Sequence, residues 1–321
     1  MKGRDYFKPF EYPWAYDLWL KHEAMHWLGY EVSMHEDVFD WDTKMTPQEK
    51  ELVTNLFRFF TQADVSVGKA YYKHFLPKFA STPELAMMLG GFANREAVHQ
   101  DAYSILVETV GMDESEYKSF QHFKEMREKY EYLESFNTDT TYDLAKTIVV
   151  YSGFTEGMAL FASFAILLAL AKNNRMKNMG NIVAWSQRDE AIHVEGMSLL
   201  FKEVIKELTF EEVVKLEREA ANMALQMVKL EDAFIDLCFG EMNTLFDVHK
   251  DDIKKYVRYI ANYRMKQFGF ALEPFEGVDR NPLSWIDYMV NGVEHTNFFE
   301  QKATAYSKAM TQGSMEEIEW M

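Results

Sequence analysis

At 321 residues the chain is long enough for one large core, and a composition 48% hydrophobic and 26% charged marks a globular protein and excludes a disordered one. A formal net charge of −17 argues against a nucleic-acid backbone as partner. The lone cysteine, Cys238, excludes an intrachain disulfide and fits a reducing cytoplasm.

The first residues carry no apolar segment of the secretory kind, and residues 1–43 are aromatic-rich and irregular, with helical pieces expected around 14–27. Thr46-Pro47-Gln48-Glu49 is a capping box with proline at the first helical position. It predicts a long helix to about residue 75, with Leu52, Leu56, Phe59 and Phe60 recurring at helical spacing before Asp64. Thr82-Pro83-Glu84 opens the next helix in the same way; it runs to about residue 110 and is broken by Gly111-Met112-Asp113. Residues 114–135 are charged and predict surface helix. From residue 141 a helix of about thirty residues runs to 172, almost wholly apolar beyond Val149 except for Glu156. Its longest apolar run, 158–171, is short of the ~20 residues of a membrane span, so a buried core helix is expected. A further helix covers roughly 176–207, Thr209-Phe210-Glu211-Glu212 caps another, and two more are expected to about residue 267. Residues 271–295 read as a loop with a short helix, and 307–321 as a mobile tail. With no strand alternation, no glycine-rich phosphate loop and no linker, the expectation is an all-α fold, one domain over 1–306 followed by the tail.

Two of these helices carry nearly the same motif. Arg95-Glu96-Ala97-Val98-His99 and Arg188-Asp189-Glu190-Ala191-Ile192-His193 each set a carboxylate and an imidazole three residues apart, hence on one helix face. A third copy, Glu23-Ala24-Met25-His26, shows how little one such pair means alone. What distinguishes the other two is an upstream acid in an apolar setting: Asp64 lies 32 residues before Glu96, and Glu156 lies 34 before Glu190. Those gaps suit antiparallel helices joined by a short turn, which returns each acid opposite its motif. A buried carboxylate is costly unless paired or metal-bound. The alternative, an inert scaffold with ion pairs to Arg95, Arg188 or Lys69, is an expensive way to bury several acids. Four carboxylates and two imidazoles suit iron or manganese; zinc takes fewer ligands and more sulfur or imidazole. Tyr103, four residues after His99, falls on the same side. It is either a core tyrosine that needs a hydrogen-bond partner or a one-electron donor to an oxidised metal pair.

With these motifs the chain resembles the small, radical-generating subunit of class I ribonucleotide reductase, from about residue 14 to 306. The resemblance rests on Phe59-Phe60-Thr61-Gln62-Ala63-Asp64, the 95–99 motif with Tyr103, Thr155-Glu156-Gly157 and the 188–193 motif. Late in the chain it adds Asn281-Pro282 with Trp285, and Asn297-Phe298-Phe299-Glu300. It implies a ferritin-like helical bundle with additional helices. Asp64, Glu96 and His99 would hold one metal and Glu156, Glu190 and His193 the other, with some carboxylates bridging. Tyr103 stands where relatives hold a stable tyrosyl radical. Trp27 matches the tryptophan that relays the electron from the large subunit, and Asp189 the acid that hydrogen-bonds between Trp27 and His99. Tyr306 matches the tail tyrosine that carries the radical across the subunit interface, and the tail would dock on the large subunit. A cytoplasmic homodimer with a dinuclear iron or manganese centre is implied, without nucleic-acid or membrane partners. Lys69, five residues after Asp64, leaves the metal open, because a manganese-using subclass has a lysine near this position and does not store the radical on tyrosine. The expectation is that Lys69 hydrogen-bonds Asp64 or Tyr103, with a lysine that snorkels to the surface as the alternative. A ferritin-like oxidase or hydroxylase acting on its own substrate would share the ligand set but have no use for Trp27, Asp189 and a tyrosine-bearing tail. Ligand-binding oxidases related to the reductase subunit have Glu where Asp64 stands.

Overall fold

The computed structural model describes residues 3–290. Helix α1 (Pro13–Ala24) starts at a proline, and α2 (His35–Thr43) follows after a single 3₁₀ turn. The first capping box forms as its sequence dictates: Glu49 N donates to Thr46 Oγ1 at 3.2 Å and Thr46 N to Glu49 Oε2 at 2.7 Å. This launches α3 (Pro47–Ala70), whose inward stripe of Leu52, Leu56, Phe59, Phe60 and Ala63 is buried. The helix does not stop at Ala70. A widened π-helical turn, Tyr71–Phe75, leads into α4 (Leu76–Phe79), so the helical run expected to residue 75 is present with one distortion in it.

Next come α5 (Pro83–Thr109), the short α6 (Glu116–Ser119) and α7 (Lys124–Glu134). The start of α5 is held by a side chain facing it from within: Glu84 accepts from the backbone N–H groups of Glu11 and Tyr12 and pairs with Arg4. Helix α7 is less of a surface element than its charge suggests, because Lys129 is buried against Glu231.

The long apolar helix is α8 (Thr141–Ile148) and α9 (Leu160–Lys172), joined without interruption by π-helical turns over Val149–Ala159. Composition and length alone would let it cross a membrane, but 94% of its apolar window is buried by the rest of the bundle, so it is the core helix. Helix α10 (Lys177–Val204) begins against α2, where the Asp37 carboxylate accepts from Asn178 N at 3.1 Å and Met179 N at 2.6 Å. These are donors that a helix start leaves without an intrahelical partner.

Thr209 and Glu212 form the second capping box and open α11 (Phe210–Phe239). The sequence predicts two more helices here. Among the described residues one follows, α12 (Lys250–Phe268), after a small antiparallel hairpin of Thr244–Leu245 with Val248–His249. Gly240 at φ 52° and Phe246 at φ 53° make the turns that end α11 and close the hairpin. In the packed bundle α3 lies along α5, and α10 lies along α9 and the distorted Val149–Ala159 segment. Helices α3, α5 and α10 and the Val149–Ala159 segment surround the site.

Candidate dinuclear metal centre

The fold brings all six ligand candidates to one place. Asp64 comes from α3, Glu96 and His99 from α5, Glu156 from the π-helical segment, and Glu190 and His193 from α10. All six are at most 1% exposed. Their donor atoms form two overlapping groups, Asp64–Glu96–His99 and Glu96–Glu156–Glu190–His193, each with its ligand atoms within 4.8 Å of one another. His193 Nδ1 lies 3.1 Å from Glu96, 3.3 Å from Glu156 and 3.2 Å from Glu190, and His99 Nδ1 lies 3.2 Å from Glu190. Both imidazoles therefore turn the same nitrogen inward.

The residues fit a pair of divalent ions. Asp64 Oδ2, Glu96 Oε2 and Glu156 Oε2 are buried with no hydrogen-bond partner, and Glu96 Oε1 and Glu190 Oε1 face only the imidazole nitrogens, a costly state that cation binding relieves. Four carboxylate charges balance two dipositive ions while both imidazoles stay neutral, the form in which they ligate.

Protons fill the same role in the metal-free protein. Burial pushes Asp64 far above the carboxylate range, and burial together with Glu190 raises Glu96 to about 7. Burial alone would lower His99, but Asp189 and Glu190 outweigh it and raise the ring to about 10. His193 is also held well above normal; burial opposes this, and Glu190, Glu156 and Glu96 prevail. Glu190 is the exception: burial raises it, the two imidazoles lower it, and the net shift is downward.

A pH dependence follows. A raised folded-state pKa contributes stability that is present below the unfolded value and lost as pH rises, so charged His99 supports the metal-free fold below about 6.5 and stops doing so toward about 10. Metal ligation needs the deprotonated groups and strengthens over the same range. The rise in Tm on adding manganese or iron should therefore grow from mildly acid to alkaline pH, as measured by calorimetry. A shift independent of pH would count against this site.

Local backbone geometry sets the Glu156 side. In the π-helical segment the carbonyls lose regular partners, and side chains take them up: Thr155 Oγ1 donates to Val150 O at 2.9 Å and Arg264 Nε to Gly157 O at 2.8 Å. Gly157 is required there, since a Cβ would stand 2.7 Å from Arg264 Nε and 2.9 Å from Ser152 O. Glu156 Oε1 accepts from the hydroxyl of Tyr71 at 2.8 Å. The sequence reading missed Tyr71, although the signal was available: it lies seven residues after Asp64, two near-complete helical turns on, and so returns to the same face.

Lys69 does not. Five residues carry it about 140° around the helix from Asp64. Its Nζ pairs with Glu134 Oε2 at 2.8 Å, and its side chain is 48% exposed. The expected hydrogen bond to Asp64 or Tyr103 is replaced by this surface ion pair, and with it goes the reason for reading the metal from Lys69.

Tyr103 is buried among Phe60 and the aromatic residues behind it: its ring stacks on Phe60 at 4.9 Å, and Phe60 stacks on Phe164 at 5.4 Å. Burial, with Asp64 next, pushes its pKa far up, against a smaller opposing effect of Ser186.

On the other side of His99 a hydrogen-bonded run leads away. His99 Nε2 is 3.3 Å from Asp189 Oδ2, which accepts from Trp27 Nε1 at 2.7 Å. The Trp27 ring stacks on His99 at 5.8 Å and packs on Trp185 at 5.3 Å. Burial would raise Asp189, but His99, Arg95 and Arg188 reverse this and hold it ionised. Glu23 and His26 of the third motif copy belong to neither metal group. Tyr306, Asn297–Glu300 and the 307–321 tail lie outside the described residues.

A helical bundle in which two Glu-x-x-His helices face two elements that each add one acid is a ferritin-like dinuclear carboxylate protein. Within that class the comparisons are specific. The family model "Ribonucleotide reductase, small chain" matches residues 4–282, and the chain belongs to that family. It is 43% identical to a probable ribonucleoside-diphosphate reductase small subunit of Invertebrate iridescent virus 6, covering 99% of this chain and 98% of the relative. It is 38% identical to another of Invertebrate iridescent virus 3, covering 98% and 87%. Two solved structures share the fold. One is the ribonucleotide reductase R2 subunit from Clostridium botulinum, with TM-score 0.77, 22% identity and coverage of 87% and 89%. The other is dimanganese(II)-NrdF of Streptococcus sanguinis, with TM-score 0.77, 20% identity and coverage of 90% and 99%.

Proposed function

We propose that the chain is the radical-providing subunit of a ribonucleoside-diphosphate reductase, with Asp64, Glu96 and His99 holding one metal ion and Glu156, Glu190 and His193 the other. The bound pair supplies one-electron oxidising power. The protein's own residues bind and orient it, keep water out and conduct the electron. The observation that carries the reading is the run His99–Asp189–Trp27, which joins an inward-facing ligand to an indole through two hydrogen bonds. An enzyme working on its own substrate needs an open path to its metals. Six ligands each at most 1% exposed favour a sealed store of oxidising equivalents that is reached by electrons.

Ionised Asp189 fixes both donors, and Arg95 Nε at 3.6 Å and Arg188 Nη2 at 3.4 Å keep it charged. Tyr103 would be the radical store, or would leave that role to the metals. The donor set suits manganese and iron alike, and one neighbour of the same fold is a dimanganese protein. Tyr306 and the 307–321 tail would carry the radical to, and dock on, a large subunit that reduces the nucleotide. A homodimer working in the cytoplasm completes the proposal.

Reconstituted protein should hold about two manganese or iron ions per chain and support nucleotide reduction with a cognate large subunit. Less than about one ion per chain would sink the site, and activity on an independent substrate without a large subunit would favour the oxidase reading. Electron paramagnetic resonance separates the two radical stores. A tyrosyl doublet lost in Tyr103→Phe assigns the radical to Tyr103; a multiline manganese spectrum with Tyr103→Phe still active assigns it to the metals.

A further inference from the structure

Each ligating imidazole has a second nitrogen that points away from the carboxylates, and the two are received by different groups. His99 Nε2 faces a carboxylate, Asp189. His193 Nε2 faces another ring: it lies 3.2 Å from His22 Nε2. Two ring nitrogens at this distance share one proton, one donating and the other accepting. If His193 gives the lone pair of Nδ1 to a metal, its proton sits on Nε2 and His22 Nε2 must accept it. The proton of His22 then lies on Nδ1, a buried atom with no hydrogen-bond partner. A buried donor left unpaired is costly, so the ring is in the less favourable tautomer for its own surroundings and the favourable one for His193.

His22 belongs to α1, which supplies no ligand. It is 0% exposed, and its orientation is fixed from two sides. Its carbonyl accepts from Arg95 Nη2 at 3.2 Å, and its ring meets Phe92 edge-on at 5.3 Å between centroids. Phe92 also packs on His193 at 4.5 Å, so the two rings are seated against the same side chain.

We propose that His22 is a positioning residue for His193, holding it in the tautomer and orientation that present Nδ1 to the metal shared with Glu156 and Glu190. The inference rests on the dinuclear reading above. It makes the two halves of the site unequal. A carboxylate draws the proton of His99 and makes that ring the stronger donor, whereas neutral His22 leaves His193 an ordinary imidazole whose aim depends on one hydrogen bond.

Manganese(II) titration of metal-free protein, followed by the electron paramagnetic resonance signal of free manganese, tests this. Wild type should bind two ions. His22→Gln should keep both, because an amide oxygen accepts the same proton. His22→Leu fills the space but cannot accept. It should weaken one ion on the order of 10–100-fold and leave the other at wild-type affinity. His22→Leu binding both ions like wild type would overturn the proposal. Wild type binding no manganese would overturn the dinuclear reading and this inference with it, a pattern distinct from unchanged variants. If His22→Leu does not fold, pulsed resonance on wild type and His22→Gln decides. The coupling of the remote nitrogen of the manganese-bound histidine should shift as its acceptor changes from nitrogen to oxygen, and identical couplings would overturn the proposal.

Discussion

Trp27→Phe should lower nucleotide reduction with a cognate large subunit by on the order of 100-fold or more, while two metals stay bound. Phenylalanine keeps an aromatic surface against His99, where the indole stacks at 5.8 Å, so the packing survives. What it loses is the Nε1–H donor to Asp189 at 2.7 Å and a ring that gives up an electron readily. Asp189 retains His99, Arg95 and Arg188 as partners, so the ligand imidazole stays oriented. Metal content and turnover should therefore part company. Full turnover in a Trp27→Phe protein that binds metal normally would defeat the relay.

The second large effect lies away from the metals. Lys129 of α7 and Glu231 of α11 form a buried pair at 2.5 Å, with the ammonium 3.8 Å from the ring centre of Phe59 and 4.2 Å from that of Phe234. The aromatic faces help hold the charge, but one carboxylate oxygen of Glu231 has no hydrogen-bond partner. Removing one partner strands the other, so Lys129→Met should cost roughly 3–5 kcal/mol of stability by denaturant unfolding of metal-free protein. Lys129→Met with Glu231→Leu should recover most of it, because two apolar side chains leave no buried charge. The sign with pH is fixed. Burial already raises the Glu231 pKa, and loss of the ammonium raises it further. A raised acid contributes stability at low pH and loses it as pH rises, so the defect of Lys129→Met should shrink in mildly acid buffer and grow toward neutrality. A single variant as stable as wild type would show that the pair is solvated in practice.

The parts of this molecule that were legible in its sequence are those fixed by local rules. Capping boxes at Thr46 and Thr209 named two helix starts, and the uniform apolarity of 141–172 named the core helix. The two Glu-x-x-His motifs with Asp64 and Glu156 named the six residues that the fold gathers. What stayed hidden depends on contacts between distant segments or on departures from ideal helix geometry. The π-helical turns at Tyr71–Phe75 and Val149–Ala159 carry no period that a sequence reader counts. Of the two expectations for Lys69 the structure has the lysine that reaches the surface, because the angle around the helix and not the distance along the chain decides; the same angle turns Tyr71 toward Glu156. His22 sits beside the third motif copy, which joins neither ligand group, and gives no sign of its own until α1 packs on α5 and α10. The Lys129–Glu231 pair is 102 residues apart in sequence and disguised by a charged helix.

Asp189 and Glu190 are consecutive residues, and on α10 consecutive side chains diverge by about 100°. Glu190 faces the inner nitrogen of His99, while Asp189 faces Trp27 and the outer nitrogen of His99, so one helix sets both carboxylates around the same imidazole. Sliding or rotating α10 cannot adjust one without displacing the other: a turn that seats Glu190 deeper swings Asp189 off the indole. A single-residue insertion or deletion between them would misalign both together. The two tasks are geared to one axle, and α2, which grips the first turn of α10 through Asp37, sets the angle of that axle from more than 140 residues away in the chain.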